Sequence, residues 1–442
     1  MPLLPQASKK KKTFVIVTKD FSGLGFALKL KNEGSNVLMV TAMTDEEDKT
    51  EEFKKIGDGL ILKLTIEKAR KIKNKLKHAY WIWDANHNTD FSEELRKEGF
   101  TVLGGDEFSD KMEHDRAYAT QIVHKAGIKT PETFEFSDAQ AGIAFLQQHE
   151  DTAFVFKPDQ TDEKMWKTTV PDSDKPEAAN KEIQLLLEAS GGGNGSYVLQ
   201  EKKSGVEFNI ECFVYEGKPF FAHINFESKR RLNGDLGELA GCSQDIEHVV
   251  DINSPILEET VYKLLKLPEY KKFTGFVDGN FIKADNDFWY LEACQRFGYN
   301  AHPNLFLSCA ISPLSVIFSD WLDRKIYDFY KHFRRGFGAS VSIFIENPIQ
   351  GIPIMIPDEL MKLYHAFDLY KEDDILRLSG YSKDVGIICA HDYDLKSAAD
   401  EALRNIRKIH FSDKAARTDL NQCDYPSNPS ERFTAIREMK LI

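Results

Sequence analysis

The sequence predicts a multidomain protein of mixed α/β and α+β class. Three observations carry this. The chain has 442 residues, too many for one hydrophobic core, which implies several domains. Its first hundred residues alternate short apolar runs with amphipathic stretches, the pattern of a parallel sheet with crossover helices. Its middle third reads as successive strands ending in a hairpin.

Taken in order, Thr13-Phe-Val-Ile-Val17 is a buried-strand run, Gly23 to Glu33 a helix and Asn36-Val-Leu-Met-Val40 a second strand. His78 to Trp83 and Thr101 to Leu103 are further strands, with Phe91 to Glu98 a helix between them. This predicts an N-terminal open parallel α/β domain over 13–110, whose ligands lie at the C-terminal ends of the strands. The Ser22-Gly-Leu-Gly25 turn can offer backbone N–H groups to an anion, although a plain turn explains two glycines as well. A second region, 111–190, opens with a helix and continues into the strand Ala153 to Lys157. The third, 191–334, carries strands Ser196 to Lys202, Glu207 to Tyr215 and Pro219 to Asn225, then the hairpin. The fourth, 335–420, has strands Ala339 to Ile345 and Asp384 to Ala390 and a helix Leu395 to Ile409, a small C-terminal α+β domain. Gly191 to Gly195 reads as a flexible connection and 421–442 as a polar tail.

Composition narrows the function. Hydrophobic content of 42% beside 29% charged residues is that of a globular protein. No apolar run reaches membrane-span length, and Lys9 to Lys12 precede no apolar segment of signal-peptide type. Six cysteines, at 212, 242, 294, 309, 389 and 423, show no metal or redox spacing, so a reduced cytoplasmic setting is expected. A net charge of −12 argues against a surface that grips a polyanion throughout.

The chemistry concentrates in Gly275-Phe-Val-Asp-Gly-Asn280-Phe-Ile-Lys-Ala-Asp-Asn-Asp-Phe-Trp-Tyr-Leu-Glu292, which runs into Ala-Cys-Gln-Arg296-Phe-Gly298. Two strands joined at Asp285–Asp287 would carry Asn280 and Glu292 near one end. Hard oxygen donors of this kind suit Mg²⁺, which takes few carboxylates and completes its shell with phosphate oxygens and water. Arg296 just beyond is a planar cation suited to a phosphate. An exposed hairpin with scattered charges is the plain alternative.

This ribbon resembles the metal-binding end of ATP-grasp ligases, and the Arg-Phe-Gly that follows makes it similar to the phosphoribosylamine–glycine ligase family. The resemblance runs from about Phe14 to Leu420, loosely except at Asn280–Gly298 and Glu227–Gly237. It implies an ATP-grasp fold, ATP and Mg²⁺ (or Mn²⁺) as cofactors, and site residues in family order. Asn280 and Glu292 would hold metal. Lys157 at a strand end and Arg116 at a helix start would contact phosphates. Gln200-Glu201-Lys202-Lys203 matches the hinge that reads adenine, and Glu207 the acid that meets the ribose. In Glu227-Ser-Lys229-Arg230, Lys229 and Arg230 would touch substrate or phosphate. Lys229 and Arg296 are the catalytic candidates.

The departures are unevenly placed. The family's Gly-Gly-Arg-Glu-His turn is replaced by Lys19 to Gly25, and its acceptor-facing Gly-Pro-Glu-x-Pro by Asp84-Ala-Asn-His-Asn88. Cys294 stands where the family has a metal-binding Asn, and a thiol is a poor partner for Mg²⁺. The loop at 158–170, expected as a lid, lacks the family's glycines. Nucleotide and metal positions are retained while acceptor-facing ones are rewritten. That pattern implies an ADP-forming carboxylate–amine ligase that activates glycine or a similar amino acid as an acyl phosphate. The amine would be borne by a nucleotide or sugar, or by a modified nucleic-acid base, with no membrane partner and a monomer or homodimer as the working unit. The housekeeping purine enzyme and a non-catalytic nucleotide-binding homologue remain the alternatives.

Overall fold

The computed structural model describes residues 11–41, 50–158, 168–189, 196–422 and 425–442. The Gly191–Gly195 connection and Cys423 lie outside the described residues, as do most of the 158–170 loop and part of the Lys9–Lys12 run. The chain divides into two compact units, one comprising 1–119, 208–280 and 292–442, the other 120–207 and 281–291.

The first unit begins with β1 (Thr13–Thr18), β2 (Asn36–Thr41), β3 (Leu62–Thr65), β4 (Tyr80–Trp83) and β5 (Thr101–Leu103). They form a sheet in the order β3-β2-β1-β4-β5, with every pairing parallel. The apolar runs are continuous because helices cover both faces. Phe14, Ile16 and Ile82 face one core, while Val15, Val17, Trp81 and Trp83 face the other. Strand order reverses between β1 and β4, so the crevice at their C-terminal ends is where a ligand of such a sheet binds.

The second unit has its own core. Strands β6 (Thr133–Phe136), β7 (Phe154–Pro158) and β8 (Tyr197–Glu201) pair antiparallel in the order β6-β8-β7. Helices Ala139–Gln148 and Pro176–Ala189 pack through Ile143, Leu146, Ile183 and Leu187 against Phe154, Phe156, Tyr197 and Leu199. The tip of the hairpin, 281–291, belongs to this unit. There Phe281 and Tyr290 meet edge to face at 5.5 Å.

The remaining strands are β9 (Val206–Tyr215), β10 (Lys218–Leu232), β11 (Leu236–Val250), β12 (Gly275–Ala284), β13 (Asp287–Glu292), β14 (Phe337–Ile345), β15 (Tyr364–Ala366), β16 (Leu369–Glu372), β17 (Ile375–Leu378) and β18 (Asp384–Asp392). In the first unit they continue one sheet in the order β12-β9-β10-β11-β14-β18-β15, and β16 and β17 form a separate ribbon. The C-terminal stretch therefore extends the central sheet, because β14 pairs antiparallel with β11 over Gln244–His248. Leu239 to Gln244 is part of the long strand β11.

One expectation fails. The segment read as a polar tail is ordered over 425–442 and carries the helix Pro429–Glu438. Its Phe433 packs on Phe226, His248 and Phe337, and Arg432 donates to the carbonyls of Glu227 and Ser427. Polar composition hid this because only two large apolar residues of the helix, Phe433 and Ile436, are needed to dock it.

Candidate functional site

In the first unit, the residues around the ribbon form a charged group. Glu292 ends β13 and is half exposed, and its Oε1 lies 3.5 Å from the Lys229 ammonium. Lys229 and Arg230 stand near the end of β10. The Arg230 guanidinium donates to the Gly237 carbonyl at 2.9 Å. Asn280 is buried on β12, the strand that pairs with β13. The Glu292 carboxylate and the Asn280 amide oxygen are hard donors that fit Mg²⁺. Cys294 does not fit, because burial pushes its thiol well above the ordinary range and leaves it neutral.

Arg296 is held from two sides. Its Nε donates to Glu113 Oε1 at 3.0 Å, and Asn86 Nδ2 binds the other oxygen of that carboxylate at 2.9 Å. The guanidinium also lies 5.1 Å from the centre of the Tyr299 ring, whose hydroxyl donates to Asp20 at 2.8 Å. Arg116 begins the helix Arg116–Lys125 and is exposed.

Behind the ribbon runs a buried chain of titratable groups that sequence reasoning did not find. His302 Nδ1 accepts the Gly298 N–H at 2.7 Å, and its Nε2 faces Glu211 at 3.0 Å. His223 bridges Glu211 at 2.9 Å and Glu247 at 2.8 Å. Burial opposes ionisation of Glu211, but the neighbouring His302 and His223 outweigh it and hold its carboxyl below the usual range. Burial likewise opposes the His223 cation, yet Glu247 and Glu211 raise that imidazole well above its ordinary value. Glu211, His223 and His302 place three ligand-type atoms within 4.8 Å of one another. Without an ion, their protons link them to one another. The bond from Gly298 puts the His302 proton on Nε2, and each His223 nitrogen lies within hydrogen-bond reach of a carboxylate. The chain fastens Gly298, two residues from Arg296, to the central sheet.

Asp278 was also missed. It lies two residues before Asn280, is buried, and burial pushes its carboxyl well up. The spacing Asp278-Gly-Asn280 was a visible signal, since alternate residues of a strand share a face.

In the second unit, Lys157 lies on β7 opposite Val198 of β8. Gln200 is buried and its side-chain amide donates to Thr133 at 3.1 Å, so this side chain holds the small sheet together. The Glu201 N–H donates to the Glu132 carbonyl at 2.8 Å, while Lys203 pairs with the Glu201 carboxylate and lies 4.0 Å over the Trp289 ring. Glu207 follows on β9. A hollow of about 580 Å³ in this unit is lined by Lys129, Thr130, Glu132, Glu201, Lys203 and Trp289, among others.

Comparison with known proteins bears on the fold. Residues 114–300 match the family described as phosphoribosylglycinamide synthetase, ATP-grasp (A) domain. A phosphoribosylamine–glycine ligase of Lactococcus lactis is 24% identical over 203 residues, 45% of this chain and 48% of that protein. One of Methanocaldococcus jannaschii is 24% identical over 291 residues, 59% and 62% of the two chains. The chain thus spans about half to three fifths of the length of these relatives. Among solved structures, phosphoribosylamine–glycine ligase of Thermotoga maritima superposes with a TM-score of 0.63 at 18% identity, covering 92% of this chain and 99% of that one. An L-amino acid ligase of Bacillus licheniformis does so at 0.54 and 13% identity, covering 91% and 99%. The fold is that of the ATP-grasp proteins.

Proposed function

We propose that this chain, an ATP-grasp protein similar to phosphoribosylamine–glycine ligases, is an ADP-forming carboxylate–amine ligase. The observation that carries the reading is the end of the ribbon. A half-exposed Glu292 stands beside Lys229, and Arg296 is fixed by Glu113. Buried cations and carboxylates are retained at such cost only where paired or where a charged ligand meets them.

An oxygen of the amino-acid carboxylate attacks the γ-phosphorus of ATP, the bond to the bridging oxygen breaks, and ADP leaves. The amine nitrogen then attacks the acyl carbon. The carbon–oxygen bond to phosphate breaks, an amide forms, and phosphate departs with the proton the amine loses. Lys229 and Arg296 stabilise charge on the transferring phosphoryl group, whose transfer depends on positioning and electrostatics. Mg²⁺ at Glu292 and Asn280, when bound, neutralises phosphate charge. Lys157 and Arg116 serve the phosphates, the hinge 200–203 the adenine and Glu207 the ribose. The activated carboxylate is glycine or another small amino acid, in a cytoplasmic setting.

The test is ADP release with ATP and Mg²⁺ across a panel of amino acids, with hydroxylamine added to trap an acyl phosphate as the hydroxamate. Carboxylate-dependent hydroxamate supports the ligase. Nucleotide binding without any hydroxamate would leave a non-catalytic nucleotide-binding protein.

A further inference from the structure

We infer that the crevice at the C-terminal ends of β1 and β4 takes a cationic amine that carries no phosphate. This rests on the ligase reading and names the class of its second substrate.

The crevice lies where strand order reverses, the position at which open parallel sheets bind ligands. The helix Leu24–Asn32 starts there, and a helix start of this kind ordinarily receives a phosphate on its free N–H groups. Here the protein's own carboxyl group has taken that place. Asp84, directly after β4, accepts the Gly23 N–H at 2.7 Å and the Ser22 hydroxyl at 3.0 Å. A Cβ on Gly23 would fall 2.8 Å from Asp84 Oδ2, so no second anion fits between them. Asp84 is 2% exposed, so the carboxylate is built into the wall.

The remaining groups favour positive charge. Asp20 lies two residues after β1, where its Oδ2 accepts the Tyr299 hydroxyl at 2.8 Å and its Oδ1 the Ser22 N–H at 3.1 Å. Asn86 is 3% exposed; its nitrogen is bonded to Glu113, and its Oδ1 has no hydrogen-bond partner. An unsatisfied buried carbonyl oxygen calls for a donor. The nearby Arg296 pairs with Glu113 and, on the ligase reading, is engaged by the transferring phosphoryl group. His87 is uncharged at neutral pH, since burial pushes its imidazole down to about 4, and Lys19 points to solvent as an exposed side chain. An ammonium group therefore meets the Asp20 carboxylate and the Asn86 carbonyl, whereas a phosphate finds the Gly23 and Ser22 donors already taken by Asp84 and is repelled by Asp20.

The experiment is calorimetric titration of the full chain with ADP and Mg²⁺ present to fill the nucleotide site. The probes are putrescine, ethanolamine, ribose 5-phosphate and inorganic phosphate. Expected is saturable binding of at least one amine, weakened tenfold or more in Asp20→Asn, and no binding of either phosphate compound. The inference is overturned if ribose 5-phosphate or phosphate binds more tightly than both amines, if neither amine binds, or if Asp20→Asn leaves amine affinity unchanged. Hydroxamate formation, which needs no acceptor, reports separately on the ligase reading. Hydroxamate with phosphate-preferring binding sinks this inference alone, and loss of hydroxamate sinks both.

Discussion

The end of the ribbon and the crevice of the parallel sheet both gather charge, but they use it differently. At the ribbon, Glu292 is half exposed and meets Lys229 at 3.5 Å, a separation that a ligand can open at little cost. At the crevice, Asp84 is enclosed and its Oδ2 is spent on the Gly23 and Ser22 donors. On the proposed reading the ribbon receives phosphates and the crevice excludes them.

The largest expected effect that tests this contrast is Glu292→Ala. It should lower ATP turnover more than about 100-fold and leave the melting temperature unchanged, as measured by ADP release and calorimetry. Near wild-type turnover would end the reading of the ribbon as a metal site. Next, Lys229→Ala should cost about 10- to 100-fold in kcat, with little change in stability because its pair is exposed to solvent.

The third concerns the buried chain that anchors Gly298. His223→Leu leaves Glu211 and Glu247 facing each other without a cation and should destabilise the fold by about 3–5 kcal/mol, read by denaturant melts. The sign with pH follows. The folded-state titration of His223 is raised, so its contribution is fully present below the unfolded imidazole value near 6.5 and is lost as pH rises through the raised value. A variant as stable as wild type would make the chain incidental.

The fourth tests the enclosure of Asp84. Burial, and then the neighbouring Asp20, push its carboxyl up to about 7 from an ordinary 3.8. The folded state therefore holds a proton that the unfolded state releases, and stability falls between pH 4 and 7 by up to about 1.4 kcal/mol per pH unit. In Asp84→Asn this contribution disappears, so melts across pH 4 to 7 should show a flatter decline than wild type. An identical slope would place Asp84 in solvent. The smallest effect is Cys294→Asn, which supplies a hard amide oxygen in place of a neutral thiol. Half-saturation by Mg²⁺ should improve several-fold, on the order of 1 kcal/mol. No change would mean that position 294 stands clear of the ion.

Much of the fold was legible because local patterns coincide with tertiary needs. The runs Thr13–Thr18 and Tyr80–Trp83 are apolar on both faces because helices cover both, and Thr101–Leu103 appears where the pattern puts it. The helix Pro429–Glu438 was not legible, since two anchoring apolar residues carry no periodic signal. Of the candidate site, the structure brings Lys229 to Glu292, and the Gln200 side chain bonds Thr133. Glu113, Tyr299 and His302 escaped notice because their partners lie far away in sequence or gain meaning only when buried.

By itself the sequence determined the strand and helix order, the hairpin carrying Asn280 and Glu292, and the Lys229 and Arg296 cations beside it. Hydrophobic periodicity and short-range turn chemistry suffice for these. Tertiary structure alone decided that the C-terminal strands extend the central sheet, that His302 and Glu211 secure the loop of Arg296, and that Asp84 occupies the helix start after β1. Each of those depends on burial, which turns a common carboxylate or imidazole into a group that must be paired, and burial is a property of the assembled chain.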